Sequence, residues 1–181
     1  MLNLKEQYNK ETITAMQKKF GYKNKMAVPR IEKVNINVGI SANKKDEKYQ
    51  NLVEQTLTRI SGQKPVFTKA RLSVSSFKIR EGNIVGAKVT LRGKKMYDFV
   101  EKLIHVTLPR IRDFRGISPK SVDRDGNLTI GFKEHLAFPE VDSGELELFH
   151  GLEISITTTA KNRERGLELF NLIGMPFKKS S

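Results

Sequence analysis

Along residues 31–40 apolar and polar side chains alternate. Val34, Ile36, Val38 and Ile40 point one way, and Lys33, Asn35 and Asn37 the other. Successive side chains of an extended chain face opposite sides, so this stretch predicts a half-buried strand whose outer face carries amides rather than carboxylates. The same period of two returns at 84–92, with Ala87, Val89 and Leu91 inward and Lys88, Thr90 and Arg92 outward. It returns again at Leu128, Ile130 and Phe132, after the Asp125-Gly126-Asn127 turn signal. A last instance sets Leu152, Ile154 and Ile156 against Glu153, Ser155 and Thr157, with hydroxyls continuing to Thr159. Residues 64–68 read as a short strand, and Pro65, which has no N–H to give a ladder, places it early or at an edge. With 84–92 it predicts a hairpin joined by a long projecting loop.

Helical spacing fills the intervals. Residues 2–20 set Leu4, Tyr8, Ala15 and Met16 near one face, and Gly21 stops them. Asn43 caps a helix from near Lys45, with Asp46 and Glu47 in its first turn, Leu52, Val53, Leu57 and Ile60 as its apolar stripe, and Gly62 at its end. Residues 94–108 place Tyr97, Val100, Ile104 and Leu108 in line, flanked by Phe99 and Leu103 and closed by Pro109. A final helix, 161–173, stops at Gly174 and Pro176. The order is α-β-α-β-β-α-β-β-α. It predicts an α+β fold: a single domain over residues 1–181, one largely antiparallel sheet, helices on its apolar face and an open polar, basic face.

Composition bounds this picture. A chain of 181 residues with 38% hydrophobic content supports one sizeable core, and it shows neither a fixed-period repeat nor a low-complexity linker. Apolar runs are too short to span a bilayer, and residues 1–10 lack the apolar core of a secretory signal. With no cysteine there is no disulfide or thiolate metal site. A soluble cytoplasmic protein is the expectation.

Charge changes the picture more. Of a net charge of +13, residues 59–95 supply +9, from ten basic side chains and the single acid Glu81. Between Thr68 and Gly82, Lys69, Arg71, Lys78 and Arg80 are interleaved with Ser73, Ser75, Ser76 and Phe77. Cations and hydroxyls suit phosphate and ribose oxygens, and one aromatic offers a stacking face, so the segment has the footprint of a nucleic-acid contact. The connector 110–125 is charged and mixed. By contrast, 134–153 carries Glu134, Glu140, Asp142, Glu145, Glu147 and Glu153 with no lysine or arginine. Such a stretch is either solvated or faces a basic protein partner.

Catalytic chemistry is not evident. His105, His135 and His150 are dispersed without ligand-like spacing, Lys88 stands where a phosphate loop ending in Gly93-Lys94 needs glycine, and no nucleophile motif occurs. Glu134 and Glu140 are carboxylates of an acidic loop, not an evident acid/base pair. No catalytic residue, metal, cofactor or small-molecule substrate is expected.

Residues 57–73, LTRISGQKPVFTKARLS, closely resemble the signature of the bacterial large-subunit ribosomal protein five family. The segments VPRIEKVNINVG (28–39), FKIREG (77–82), KVTLRG (88–93), LPRIRDFRGISPKS (108–121) and LIGMPF (172–177) resemble it too, in the same order. Several long segments in register are far more specific than one motif, and they span essentially the whole chain.

The resemblance implies a non-catalytic, structural role. It implies binding to 5S rRNA in the central protuberance and contact with large-subunit 23S rRNA. It further implies contact with the peptidyl-site tRNA, and a bridge to a small-subunit head protein, ribosomal protein thirteen of that subunit. Its rRNA-binding residues here would be Lys33, Asn35, Asn37, Gln63, Lys64, Thr68, Lys69, Arg71, Lys88, Thr90 and Arg92. Ser73, Ser75, Ser76, Phe77, Lys78 and Arg80 match the tRNA-contacting loop, and Glu140, Asp142, Glu145 and Glu147 the bridge. Leu72 stands where a basic residue is common in the family, Ser76 where glycine is common, and residues 146–149 where lysines are frequent. A less charged, stiffer loop is expected. Two other functions fit an RNA-binding chain: a free-standing RNA chaperone, which would not travel with ribosomal particles, and an RNA-modifying enzyme, which needs a cofactor pocket.

Overall fold

The computed structural model describes residues 3–40, 47–141 and 150–178. Asn43, Lys45 and Asp46 of the expected helix cap lie outside the described residues, as do Asp142, Glu145 and Glu147.

Helix α1 begins where Asn3, in extended conformation, accepts the Lys5 N–H at 3.1 Å, satisfying a first-turn donor that has no partner within the helix. It continues as Leu4–Gln7, a π-helical turn Tyr8–Thr12 and a further α-helical part Ile13–Phe20, and ends at left-handed Gly21, φ 70°. Its buried side chains are Leu4, Tyr8, Thr12 and Met16, spaced by four, while Ala15 is half-buried. At 3.6 residues per turn an unbroken α-helix would rotate such a stripe away from the core, and the wider π turn brings it back. Helix α3 repeats the device: Gly93–Lys102, a π turn Leu103–Thr107, then Leu108–Arg110. Val100, Ile104 and Leu108 are buried four apart. Met96 takes the fully buried place that spacing assigns to Tyr97, which is half-buried, and the helix ends one residue after Pro109.

Between them lie β1 (Ile31–Gly39), α2 (Glu47–Ser61), β2 (Val66–Lys69) and β3 (Ile84–Leu91). After α3 come β4 (Leu128–Phe132), β5 (Leu152–Thr158) and α4 (Arg163–Leu172). The five strands form one sheet in the order β2-β3-β1-β5-β4. As Pro65 requires, β2 is an edge, and it starts just after the proline. It pairs antiparallel with β3, Val66 opposite Lys88. Bonds from Ile40 N–H to Val85 O (2.9 Å) and from Thr159 N–H to Arg30 O (3.0 Å) tie the end of β1 to the start of β3, and the start of β1 to the end of β5. Both pairings are therefore antiparallel. The alternation in β1 is strict only from Val34 on, because Ile31 is buried and Glu32 exposed, a one-residue change of phase at the start of the strand.

Backbone contacts divide the chain into two compact units. The first, residues 1–34, 91–130 and 155–181, buries Leu4, Met16, Val100, Leu103, Leu108, Leu169 and Phe170. The second, residues 35–90 and 131–154, buries Ile36, Val38, Val53, Leu57, Val89, Phe138 and Ile154. Removing each such side chain from water contributes about 1.5–3 kcal/mol.

In the first unit the turn before β4 is held from both sides. Asp123 accepts from Asn127 N–H at 2.7 Å and from Asn127 Nδ2 at 2.9 Å, and Thr158 Oγ1 donates to Gly126 O at 2.8 Å. Partial burial works to raise the Asp123 carboxyl, but hydrogen bonds from Asn127 and from the Asp125 and Gly126 amides outweigh it, so its pKa lies below the ordinary value. Gly126 (φ 85°) in turn lies against Gly166 of α4, where an added Cβ would stand 2.4 Å from Gly126 Cα.

Two outcomes follow from this turn. Gly166→Ala forces backbone apart and is expected to lower unfolding free energy by about 1–3 kcal/mol in chemical denaturation. A carboxyl with a depressed folded pKa contributes stability that is present above its unfolded pKa and lost as pH falls through the folded one. Wild type is therefore expected to lose melting temperature more steeply than Asp123→Asn below pH about 4, measured by thermal scans across that range.

Candidate nucleic-acid interface

In the second unit the Ile40–Val85 bond sets the register of β1 on β3, so that Asn37 faces Lys88 and Asn35 faces Thr90 on the outer side. The side chains agree: Thr90 Oγ1 donates to Asn35 Oδ1 at 2.8 Å. With its oxygen engaged, the Asn35 amide keeps its NH2 arm as a donor. Gln63 Nε2 reaches Thr90 O at 3.4 Å, bringing a residue from the α2–β2 connection beside the pair. Asn37, Gln63, Lys64, Lys69, Arg71 and Lys88 are exposed, and Asn35, Thr68 and Thr90 half-buried. Lys64 Nζ, on a largely exposed side chain, lies 3.2 Å from Oε1 of the half-buried Glu54. Thr68 faces Gly86. A Cβ at Gly86 would stand 2.9 Å from Val38 O and 3.1 Å from Thr68 Oγ1, so glycine there keeps the outer face low.

The β2–β3 connection is a continued hairpin rather than a loose loop. Ala70 N–H donates to Asn83 O (2.8 Å) and Gly82 N–H to Ala70 O (3.0 Å), while Val74 and Ile79 exchange bonds of 2.9 and 3.1 Å. A 3-10 turn, Ser75–Phe77, closes the tip, and Lys78 takes a left-handed φ of 52°, a conformation that costs a non-glycine residue energy. Ser73 Oγ accepts the Glu81 N–H at 2.9 Å and braces the stem. Ser73, Ser75, Ser76, Phe77, Lys78 and Arg80 are thus gathered at the far end of one braced finger, with Phe77 68% and Leu72 75% exposed.

In the first unit Lys33 faces Arg92, whose Nη1 lies 3.8 Å from Glu32 Oε1. Thr129 Oγ1 and Ser155 Oγ, 3.2 Å apart, stand with Thr157 on outward positions of β4 and β5. These hydroxyls are absent from the interface expected from sequence. Their alternation with Leu128, Ile130, Ile154 and Ile156 is the signal that places them on the polar side.

Of the acidic segment, Glu134, Glu140 and Glu153 are described, the first and last exposed and Glu140 half-buried. His135 and His150, distant in sequence, stack at 4.3 Å and 19°, with His135 Nδ1 3.3 Å from both the N and the O of His150, and Tyr49 edge-on to His150. Both rings are buried, so the pair is a core element. Among the described residues no group of three or more His, Asp or Glu side chains is placed to hold a metal ion, and no helix is long and apolar enough to cross a membrane.

In the second unit the neutral groups of Asn35, Asn37, Gln63 and Thr90 therefore share the outer side with the exposed Lys88. Donors and acceptors of that kind discriminate between nucleotides, whereas cations add affinity for any phosphate backbone.

Known proteins resemble this chain along its whole length. Residues 24–80 match the family model described as ribosomal protein L5, and residues 84–177 match the model for the C-terminus of the same ribosomal family. The chain is 53% identical to the large ribosomal subunit protein uL5 of Halothermothrix orenii over 176 residues, 97% of this chain and 98% of that protein. It is 50% identical to that of Heliobacterium modesticaldum, covering 98% and 99%, and 49% identical to that of Thermoanaerobacter sp., covering 99% and 100%.

If the outer face serves binding rather than folding, its side chains contribute to stability only through the hydrogen bonds they make within the sheet. Thr90→Val, which deletes a half-buried hydrogen bond, is expected to cost about 0.5–1.5 kcal/mol. Asn37→Ala is expected to stay within about 0.5 kcal/mol of wild type. Urea denaturation of both variants measures it.

Proposed function

We propose, from the fact that this chain belongs to the ribosomal protein L5 family, that its outer sheet face binds 5S rRNA and helps to seat it in the central protuberance of the large subunit. The family consists of structural proteins of the large ribosomal subunit, not enzymes, so rRNA in the cytoplasmic ribosome is the partner at the coarsest level. The observation that carries the finer reading is the Thr90–Asn35 hydrogen bond of 2.8 Å. It fixes an amide in place, and Lys64, Lys69, Arg71 and Lys88 of the same unit, together with Lys33 and Arg92, are the proposed phosphate contacts. A fixed amide selects, because a wrong partner leaves it unpaired, and the cations supply affinity for RNA phosphates, 23S rRNA included.

The braced finger carries the second part of the proposal. Its tip offers Phe77 for stacking and Ser73, Ser75, Ser76, Lys78 and Arg80 for ribose and phosphate, and this supports contact with the peptidyl-site tRNA. Glu140, with Asp142, Glu145 and Glu147, forms the acidic contact for ribosomal protein thirteen of the small subunit, for which a basic partner surface is the electrostatic complement. One sheet whose strands come from both units supports reading residues 1–181 as one domain.

The test is a titration of the purified chain against cognate 5S rRNA and an unrelated structured RNA of similar length, at low and physiological salt. The expected result is a preference for 5S rRNA that survives the higher salt. Asn37→Ala or Thr90→Ala should reduce that preference about tenfold, the effect of losing about 1.4 kcal/mol. Lys78→Ala and Arg80→Ala should leave it in place and weaken tRNA contact in reconstituted ribosomes. Equal affinities that collapse together with salt would overturn the assignment.

A further inference from the structure

Outside the sheet face and the finger, the first unit carries a second concentration of positive charge, on the connector between α3 and β4. Arg110, Arg112, Arg115, Lys120 and Arg124 are all exposed there, against Asp113, Asp123 and Asp125, and the turn 110–116 sets three arginines against the single acid Asp113. Asp123 is spent on the Asn127 turn. Among the described residues no carboxylate stands within ion-pair distance of Arg110, Arg112 or Arg115, whereas Lys19, Lys64 and Arg92 each have an acid partner.

These arginines sit on a fixed backbone. Ile111 N–H donates to Leu108 O (3.2 Å) and Phe114 N–H to Ile111 O (3.3 Å), and the chain reverses at Asp113, φ 56°. Gly116, φ 92°, lies flat on the C-terminal segment, where a Cβ would stand 2.8 Å from Lys178 N. Ile117 N–H to Pro176 O (2.8 Å) and Lys178 N–H to Ile117 O (2.9 Å) clamp the exit of the turn, which sets the backbone of the exposed Lys178 against Gly116, the residue after Arg115. Arg163 Nη2 holds Pro119 O at 3.0 Å and steadies the next stretch. The entropy of ordering this turn is lost on folding rather than on binding. Planar guanidinium forks match phosphate oxygens. No exposed amide or aromatic side chain lies on 110–116 to read a base.

We propose that the turn 110–116, with Lys178, is a second RNA-binding surface, one that grips the phosphate backbone of a duplex without reading its sequence and does so while the sheet face is occupied by other RNA. The proposal does not depend on that other RNA being 5S rRNA.

The test titrates a labelled RNA duplex of unrelated sequence into the full chain, alone and saturated with 5S rRNA. It is repeated with the triple variant Arg110→Gln, Arg112→Gln, Arg115→Gln and with the same positions changed to lysine. The expected result is that the saturated complex still takes the duplex. The glutamine variant should bind it on the order of tenfold more weakly, with a plot of log affinity against log salt shallower by about 2–3, since each phosphate contact contributes about 0.7–0.9 to that slope. The lysine variant should keep most of the slope, and an unchanged melting temperature would show that the glutamine variant is folded. Exclusion of the duplex by bound 5S rRNA, an unchanged slope in the glutamine variant, or tighter binding of a polyglutamate peptide than of the duplex would each overturn the proposal, the last in favour of an acidic protein partner. Loss of the 5S preference with duplex binding intact would sink the 5S assignment and leave this surface standing.

Discussion

The register of β1 on β3 is the constraint on which the outer face depends. A strand presents side chains with a period of two, so a slip of one residue would carry Val34, Ile36 and Val38 to the solvent and Asn35 and Asn37 into the core. The Ile40–Val85 bond and the Thr90–Asn35 bond fix the same register, one through the backbone and one through side chains. The apolar alternation that builds the core and the polar alternation that builds the outer face are thus two readings of one pairing.

Much of this was legible in the sequence because the signal had the period of the structure. Alternation located β1, β3, β4 and β5, Pro65 placed β2 at the edge, and Gly21 and Gly62 marked helix ends. Within the helices legibility ran out where packing overrode the regular period. The two π turns, the burial of Thr12 and Met96 and the half-exposure of Tyr97 depend on a stripe of every fourth residue meeting a neighbouring surface. The change of phase at Ile31 likewise has no local marker, since Ile31-Glu32 reads as well in either register.

The candidate interface was legible to the same degree. Charge density marked the finger, and alternation marked Asn35, Asn37, Lys88 and Thr90. Which polar groups engage one another was not legible, because that depends on neighbours distant in sequence, as for Thr129 with Ser155 across two strands and His135 with His150 outside them. Bracing of the finger through Ser73 and the Val74–Ile79 pair was also hidden. A tip already ordered in the free chain would lose less conformational entropy on the contact proposed for it.

The natural absence of cysteine allows the central claim, that the outer face of β1 and β3 meets 5S rRNA, to be tested by proximity. Single cysteines at Asn37→Cys and Lys88→Cys, and at Gln55→Cys on the exposed side of α2, would carry the same short photo-crosslinker in the presence of 5S rRNA at physiological salt. The account predicts strong cross-linking from positions 37 and 88 and little from 55. Equal yields from all three, or the highest from 55, would contradict it.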